Sequence, residues 1–259
     1  MMNWNQLISA KRFGMEEFHE ERQENRSEFQ RDYDRLIFSA PFRRLQNKTQ
    51  VFPLPGSVFV HNRLTHSLEV ASVGRSLGDD VAKALLERHP ELQDSFLPEI
   101  GSIVSAACLA HDLGNPPFGH SGEKAISTFF SEGKGVRLKE KQPNGEQLSP
   151  MEWEDLIHFE GNANAFRILT HQFEGRRKGG FVLTYTTLAS IVKYPFSSSL
   201  AGTKSKFGFF VSEEESFRKI ATELGLILLN EHPLKYARHP LVYLVEAADD
   251  ICYQMMDIE

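Results

Sequence analysis

The sequence predicts an all-α fold, a bundle of helices around a central polar site with only minor hairpins or loops. Apolar residues recur mainly at intervals of three and four, the spacing that lines one face of a helix, and strand-like alternation is rare. A nearly all-apolar run over residues 103–113 contains the pair His111-Asp112, two potential metal ligands, near its end. With 41% hydrophobic residues among 259, the chain can bury a substantial core.

The helical pattern is clearest over residues 66–88, where the apolar positions are Val70, Val73, Leu77, Val81 and Leu85. Similar patterns predict helices over 103–113, 164–173, 183–192, 212–229 and 241–259. We expect Ser212 and Glu215 to form a capping box at the start of the helix over 212–229. The polar stretches 131–150 and 196–208 carry turn-forming residues and are predicted to be loops or short hairpins.

The chain divides into two predicted regions. Residues 1–34 are dense in Glu, Arg and Gln and have few apolar anchors, so we expect an N-terminal charged arm or surface helix. Residues 35–259 form the predicted helical core. The final segment, DDICYQMMDIE, stops within a helical pattern without a Gly, Asn or Pro stop signal, so we expect a further helical region in the complete protein.

Composition restricts the function classes. The 29 Lys and Arg residues against 35 Asp and Glu give a net charge of −6, which argues against a protein that coats nucleic acid. A basic tip, Arg176 to Lys178 with Arg177 between them, is a candidate contact for single-stranded nucleic acid, although a solvated loop is the commoner role of such a run. Only two cysteines, Cys108 and Cys252, argue against a disulfide framework. The chain has no apolar run of the roughly 18 to 20 residues that cross a membrane and no signal-peptide pattern, so we expect a soluble cytoplasmic protein without a membrane partner.

Four residues in apolar surroundings form a candidate metal site. His66 falls on the inner face of the first long helix, and Asp249 interrupts an apolar helix, where an unpaired carboxylate would be costly. Together with His111 and Asp112 they supply two imidazoles and two carboxylates, which suit Mn²⁺ or Mg²⁺, with Fe²⁺ or Co²⁺ as alternatives, better than a closed zinc site. Each residue alone has a simpler explanation, a satisfied core residue or a histidine near the negative end of a helix dipole.

Six segments, in order along the chain, make the sequence similar to a known family. They are RRLQNKTQVFPL (43–54), HNRLTHSLEV (61–70), AHDLGNPPFGHSGE (110–123), HFEGNANAFRIL (158–169), VKYP (192–195) and EAADDICY (246–253). Together they resemble the deoxyguanosine triphosphate triphosphohydrolases of the HD-domain superfamily. The resemblance implies an HD-domain helical bundle with a central metal site, with residues 35–259 as the catalytic core. Members of that family also carry a further C-terminal helical region, which this chain lacks.

The resemblance also implies roles for individual residues. The implied metal ligands are His66, His111, Asp112 and Asp249, with Asp250 as the neighbouring alternative to Asp249. The implied catalytic pair is His120 and Glu123. The implied phosphate contacts are Arg63, Lys193, Tyr194 and Lys206. The implied contacts to base and sugar are Gln50, Tyr253 and Asp257, and Asn162 and His158 fall in a motif beside the pocket.

The residue types fit those roles. Cleaving a triphosphate requires several negative charges to be neutralised, and Arg63, Lys193 and Lys206 are suitable cations, although each alone reads as a surface charge. His120 and Glu123 are three residues apart, so on a helical turn we expect the carboxylate to face and orient the imidazole.

The late helix offers a way to select the sugar. Tyr253 and Asp257 follow Asp249 by four and eight residues, so the three share one helical face. Asp257 suits a ribose 3′-hydroxyl, and a tyrosine packed near C2′ would crowd out a 2′-hydroxyl. Such crowding would give the protein a preference for deoxynucleotides.

The resulting hypothesis is a metal-dependent hydrolase that converts dGTP or another deoxynucleoside triphosphate and water into deoxynucleoside and inorganic triphosphate. His120 moves a proton, either from the attacking water or to the departing 5′ oxygen. Two alternatives remain: another HD-type nucleotide phosphohydrolase, and a catalytically silent nucleotide-binding or sensor subunit. The intact ligand set and catalytic pair argue against the silent subunit. The resemblance also implies a homo-oligomer, with a hexamer as one arrangement.

Overall fold

The computed structural model describes residues 2–17, 26–49, 61–143, 145–175, 178–202 and 205–258, and for residues 256–258 it describes the backbone alone. The helices in these ranges are α1 (Trp4–Leu7), α2 (Glu28–Ile37), α3 (Ala40–Arg44), α4 (Arg63–Arg88), α5 (Ile100–Ala110), α6 (His120–Ser131), α7 (Pro150–Ile157), α8 (Gly161–Thr170), α9 (Tyr185–Ile191), α10 (Glu214–Glu223) and α11 (Val242–Ile258). Two short strands, β1 (Leu228–Asn230) and β2 (Lys235–Tyr236), pair antiparallel. The predicted all-α class is confirmed. No helix in the described ranges has both the length and the apolar character that crossing a membrane requires.

Helix α5 is the centre of the bundle. All of its residues are buried, and α2, α4, α9 and α11 pack around it. Its sequence, IGSIVSAACLA, contains only apolar or small residues, so no face of the helix requires water. The helix ends at Ala110, which leaves His111 and Asp112 in the turn that follows.

Small residues allow α4 and α5 to approach closely. A Cβ atom placed on Gly78 would lie 2.7 Å from the Cα of Gly101. One placed on Gly74 would lie 2.5 Å from Cys108 Sγ. Because real Cβ contacts are not this short, a larger residue at Gly78 would push the two helices apart.

The antiparallel register of these two helices assembles part of the polar centre. The hydroxyl of Ser105 donates to the carbonyl of Ala71 at 3.0 Å, one turn beyond the glycine contacts. Continuing the same register brings His66 of α4 beside His111, and their rings are 5.4 Å apart between centroids. The metal-ligand candidates therefore meet because the helices that carry them pack in this register.

The N-terminal region differs from the predicted charged arm. Within its described part, Leu7, Ile8 and Phe29 belong to the hydrophobic core. Arg12 and Asp32 are also buried and form an ion pair at 2.7 Å. A few apolar residues placed at the right positions anchor the segment, and the buried charges compensate one another.

The predicted helix over 212–229 is wrong in its start and its second half. Ser212 Oγ accepts from Arg167 Nη1 at 2.9 Å and donates to Glu213 Oε2 at 2.8 Å, so it does not cap the helix or form a box with Glu215. Helix α10 is short because Gly225 takes a left-handed conformation, φ +65°, just beyond its end. The chain then enters β1 and the hairpin.

Candidate active site

A cavity of about 550 Å³ lies where the beginnings of α4, α6 and α8, the turn after α5 and the middle of α11 meet. Most of the predicted site residues in the described ranges line it. These are Arg63, His111, Asp112, His120, Glu123, Asn162, Lys193, Tyr194, Lys206, Asp249 and Tyr253. Residues up to 190 positions apart in sequence thus share one cavity, counting from 63 to 253.

His66 is the most deeply buried member of the predicted ligand set. Asn62 caps α4, since its side-chain oxygen accepts from the backbone N–H groups of Leu64 and Thr65 at 3.1 and 3.0 Å. One turn later, His66 points inward and is 0% exposed. Its Nε2 lies 2.9 Å from Asp249 Oδ1.

His111 and Asp112 are held by the turn after α5. The Nδ1 of His111 is 2.6 Å from the carbonyl of Cys108 and donates to it, so Nε2 is the ring nitrogen that faces the other candidate ligands. The carboxylate of Asp112 accepts from Arg63 Nη1 at 2.6 Å and from Asn115 Nδ2 at 2.5 Å. The two donors fix the orientation of this carboxylate.

Asp249 completes the cluster from α11. Its Oδ1 lies 3.6 Å from His111 Nε2 as well as close to His66, whereas the next residue, Asp250, is exposed. One ligand atom each from His66, His111 and Asp112 lies within 4.8 Å of the others. The two imidazoles and two carboxylates lie close to one another here, and they match the ligand types and the charge of a divalent cation. The residues therefore fit a metal ion.

The charge state of the cluster follows from these contacts. Burial opposes the charge on His111, but Asp112 and Asp249 raise its pKa to about 9. Burial also opposes ionisation of the two aspartates, but the neighbouring histidines hold the pKa of each carboxyl below its usual range. Two carboxylates are thus anionic at neutral pH, and a metal ion that binds here competes with the proton on His111.

The predicted pair His120 and Glu123 lies at the beginning of α6, but the two side chains have separate environments. His120 is exposed at the first position of the helix and lines the cavity. Glu123 instead accepts from the backbone N–H of Gly161 at 2.9 Å through Oε1, and its Oε2 is 3.4 Å from Lys206 Nζ. The carboxylate therefore links α6 to α8 and does not hold the imidazole in this structure.

The predicted cations line the cavity and are each paired with a carboxylate. Lys193 Nζ lies 2.9 Å from Glu246, and Arg63 is paired with Asp112 as described above. Lys206 Nζ lies 2.8 Å from Glu160. A polyphosphate that enters the cavity would meet these cations already in place.

The remaining predicted residues have varied positions. Tyr253 lines the cavity, and its ring centroid is 4.9 Å from that of His66. His158 ends α7, where its Nδ1 lies 3.2 Å from the carbonyl of Glu154, and it is not among the described residues that line the cavity. Gln50, the side chain of Asp257 and most of the basic tip fall outside the described residues.

Sequence reasoning missed two acidic residues of the site. Glu160 is fully buried, and Glu246 pairs with both Lys193 and Arg238. The available signal was position: each lies inside one of the six motifs, next to residues that were singled out. A carboxylate at the start of a helix can also cap it, as Glu160 does for α8.

Comparison with known proteins agrees with this arrangement. A family model described as the HD domain matches residues 63–178, the range that carries His66, the His111-Asp112 pair and α6. Residues 63–178 of this chain therefore form an HD domain. The HD domain predicted from the sequence motifs is confirmed.

Relatives match the whole chain. It is 46% identical to a deoxyguanosinetriphosphate triphosphohydrolase-like protein of Synechocystis sp., and the alignment covers 100% of this chain and 59% of the relative. It is 47% identical to a protein of the same description from Pseudomonas aeruginosa, covering 100% of the chain and 57% of the relative. It is 36% identical to the deoxyguanosinetriphosphate triphosphohydrolase of Yersinia enterocolitica, covering 100% and 54%. This HD-domain chain thus spans little more than half the length of these relatives.

Proposed function

We propose that this HD-domain protein is a metal-dependent phosphohydrolase that cleaves a deoxynucleoside triphosphate into deoxynucleoside and inorganic triphosphate. The observation that carries the proposal is the convergence of His66, His111, Asp112 and Asp249 beside a cavity that also presents cations and a free-standing imidazole. The names of the relatives supply the substrate class.

The cavity presents positively charged side chains to a negatively charged substrate, although the chain as a whole is negatively charged. The whole chain carries −6, so a triphosphate would not be attracted by the net charge. Arg63, Lys193 and Lys206 place positive charge locally at the cavity wall. We assign these three side chains to the binding of the phosphate oxygens, with Tyr194 beside Lys193 as a further contact.

We assign different roles in the reaction to the residues at the metal cluster and beside it: metal binding, proton transfer and orientation of a ligand. His66, His111, Asp112 and Asp249 would hold Mn²⁺ or Mg²⁺, which when bound polarises a phosphoryl oxygen and a water molecule. His120 lines the cavity beside this cluster and is exposed, so its imidazole can exchange a proton with a water molecule or with the departing 5′ oxygen. Arg63 orients Asp112 through their ion pair and so fixes one ligand.

Product analysis tests the proposal. The purified protein is incubated with each of the four deoxynucleoside triphosphates and Mn²⁺ or Mg²⁺, and the products are separated by ion-exchange chromatography. We expect deoxynucleoside and intact triphosphate in equal amounts. Diphosphate or monophosphate as the released fragment would favour another HD-type phosphohydrolase, and binding without any turnover would favour a sensor subunit.

A further inference from the structure

Glu160 is a fully buried carboxylate at the edge of the cavity. It precedes α8 and accepts hydrogen bonds from the backbone N–H groups of Asn162 at 2.5 Å and Ala163 at 3.2 Å, and from the side-chain amide of Asn162 at 2.8 Å. Lys206 Nζ donates to the same carboxylate at 2.8 Å. Burying a carboxylate is costly, and the helix start and the ammonium group compensate for that cost.

Lys206 is held between two carboxylates. Its Nζ is 2.8 Å from Glu160 Oε1 and 3.4 Å from Glu123 Oε2. Burial alone would lower the pKa of Lys206, but Glu160 and then Glu123 raise it above its ordinary value. The second oxygen of Glu123 accepts from the N–H of Gly161, next to Glu160 in sequence. These contacts join α6, the beginning of α8 and the segment that carries Lys206.

We propose that Glu160 is a positioning residue that holds the ammonium of Lys206 at the cavity wall. Lys206 lines the cavity, whereas Glu160 itself does not. A lysine has a long flexible stem, so without Glu160 its ammonium would either sample many positions or move onto Glu123. With Glu160 in place, a polyphosphate meets a cation in a defined position, and less freedom is lost on binding. The identity of the ligand rests on the proposed function; the anchoring of Lys206 does not.

The anchoring is tested without activity by competitive acetylation of lysines with acetic anhydride, read by peptide mass spectrometry. In Glu160→Gln, whose amide oxygen can still cap α8, we expect Lys206 to react about tenfold faster, because the ammonium loses the carboxylate that raises its pKa. Glu246→Gln is the matched control, because Glu246 pairs with Lys193 and should change the labelling of Lys193 alone. Unchanged labelling of Lys206 in Glu160→Gln overturns the proposal.

The wild-type protein provides a second reading if Glu160→Gln does not fold. Lys206 should then be acetylated several times more slowly than Lys124, which is exposed on α6. Equal rates for the two lysines would mean that Lys206 is not anchored, which overturns the proposal.

The consequence for binding is measured by calorimetric titration with inorganic triphosphate and Mg²⁺ in Glu160→Gln, Lys206→Gln and the double variant. We expect each single change to weaken binding about tenfold, and the double variant to bind no more weakly than Lys206→Gln, because Glu160 acts through the lysine. Losses that multiply in the double variant would mean independent roles and contradict the proposal. If the labelling result holds but wild-type protein releases no triphosphate from nucleotides, the proposed function fails and the anchoring by Glu160 stands.

Discussion

Two adjacent aspartates on α11 have opposite environments and allow a direct test of the metal site. Asp249 contacts His66 and His111, whereas Asp250 is exposed. We expect Asp249→Ala, like His66→Ala or His111→Ala, to bind Mn²⁺ at least about tenfold more weakly, because three ligands hold a labile ion poorly. Asp250→Ala is the control and should keep its metal. Elemental analysis of the purified variants measures their metal content. If only Asp250→Ala loses its metal, the ligand is Asp250 and not Asp249.

The position of His120 separates its role from metal binding. It stands at the first position of α6, exposed at the cavity, and is not part of the cluster of ligand atoms around His66. We therefore expect His120→Ala to keep its metal content and to lower kcat by about 10² to 10⁴, the usual contribution of a positioned acid or base. Ser121→Ala, a neighbouring exposed position on the same helix, is the matched control. Wild-type turnover by His120→Ala would remove the imidazole from the mechanism.

Tyr253 offers a test of sugar selection at a single side chain. Its ring lies 4.9 Å from that of His66 and is 39% exposed, so it stands between the metal-ligand candidates and the open cavity. We expect Tyr253→Ala to reduce the preference for dGTP over GTP by about 1 to 3 kcal/mol, measured as the ratio of kcat/KM. Tyr253→Phe keeps the ring and should keep the preference. An unchanged ratio in Tyr253→Ala would place the sugar contact elsewhere, for example at Gln50.

At the scale of elements, the close packing of α4 against α5 brings the histidines together. We expect Gly78→Ala to lower the free energy of unfolding by about 1 to 3 kcal/mol, because its new Cβ meets the backbone of Gly101 at 2.7 Å. Ser76→Ala, exposed on the same helix, should be neutral or slightly stabilising, since alanine favours helix. Chemical denaturation measures both, and equal stability of the two variants would show that the helices separate without cost.

The sequence predicted the long helices well and failed where single residues override a pattern. The apolar periodicity of 66–88 lies within α4, and the apolar run at 103–113 lies mostly within α5, because burial of one face or of the whole helix is visible in composition. The pattern over 212–229 continued through Gly225, and apolar spacing does not report that a glycine adopts a left-handed conformation. The hairpin after it was missed for the same reason.

At the scale of the whole molecule, the metal-ligand candidates could be predicted because they are polar residues within apolar stretches of the sequence. Asp249 in an apolar helix and His111-Asp112 at the end of an apolar run are visible as conflicts in the sequence. Glu160 was missed because its partner Lys206 is 46 residues away and only the fold brings them together. Likewise, the spacing of His120 and Glu123 predicted a pair, while the tertiary structure provides Glu123 with Gly161 and Lys206.

Two buried groups away from the cavity, His239 and Asp155, make the free energy of unfolding depend on pH in opposite directions. His239 donates through Nε2 to the carbonyl of Leu7 and accepts from the N–H of Leu241 through Nδ1, and its burial lowers its pKa to about 4. Asp155 accepts from the N–H of Val211, and burial, with Glu213 and Glu152 nearby, raises its pKa to about 6. The contribution of the neutral His239 side chain to the free energy of unfolding is fully present above pH 6.5. It is lost as the pH falls through 4. The contribution of Asp155 is present below pH 3.8 and is lost as the pH rises through 6.

Between pH 4 and 6 these two effects oppose one another. Variants at His239 and Asp155 should therefore change the pH dependence of the free energy of unfolding in opposite directions. Each pKa differs from its ordinary value by about two units, which corresponds to about 3 kcal/mol. Replacing His239 by Gln retains a donor for Leu7 but removes the titration, so the variant should gain stability relative to wild type as the pH falls from 6.5 to 4.

Asp155→Asn should lose stability relative to wild type over the same pH range, because wild-type protein is relieved of a buried charge when Asp155 is protonated. Urea unfolding at several pH values, with a chelator in every sample, measures both differences. Parallel curves for wild type and either variant would show that the replaced group does not control this pH dependence.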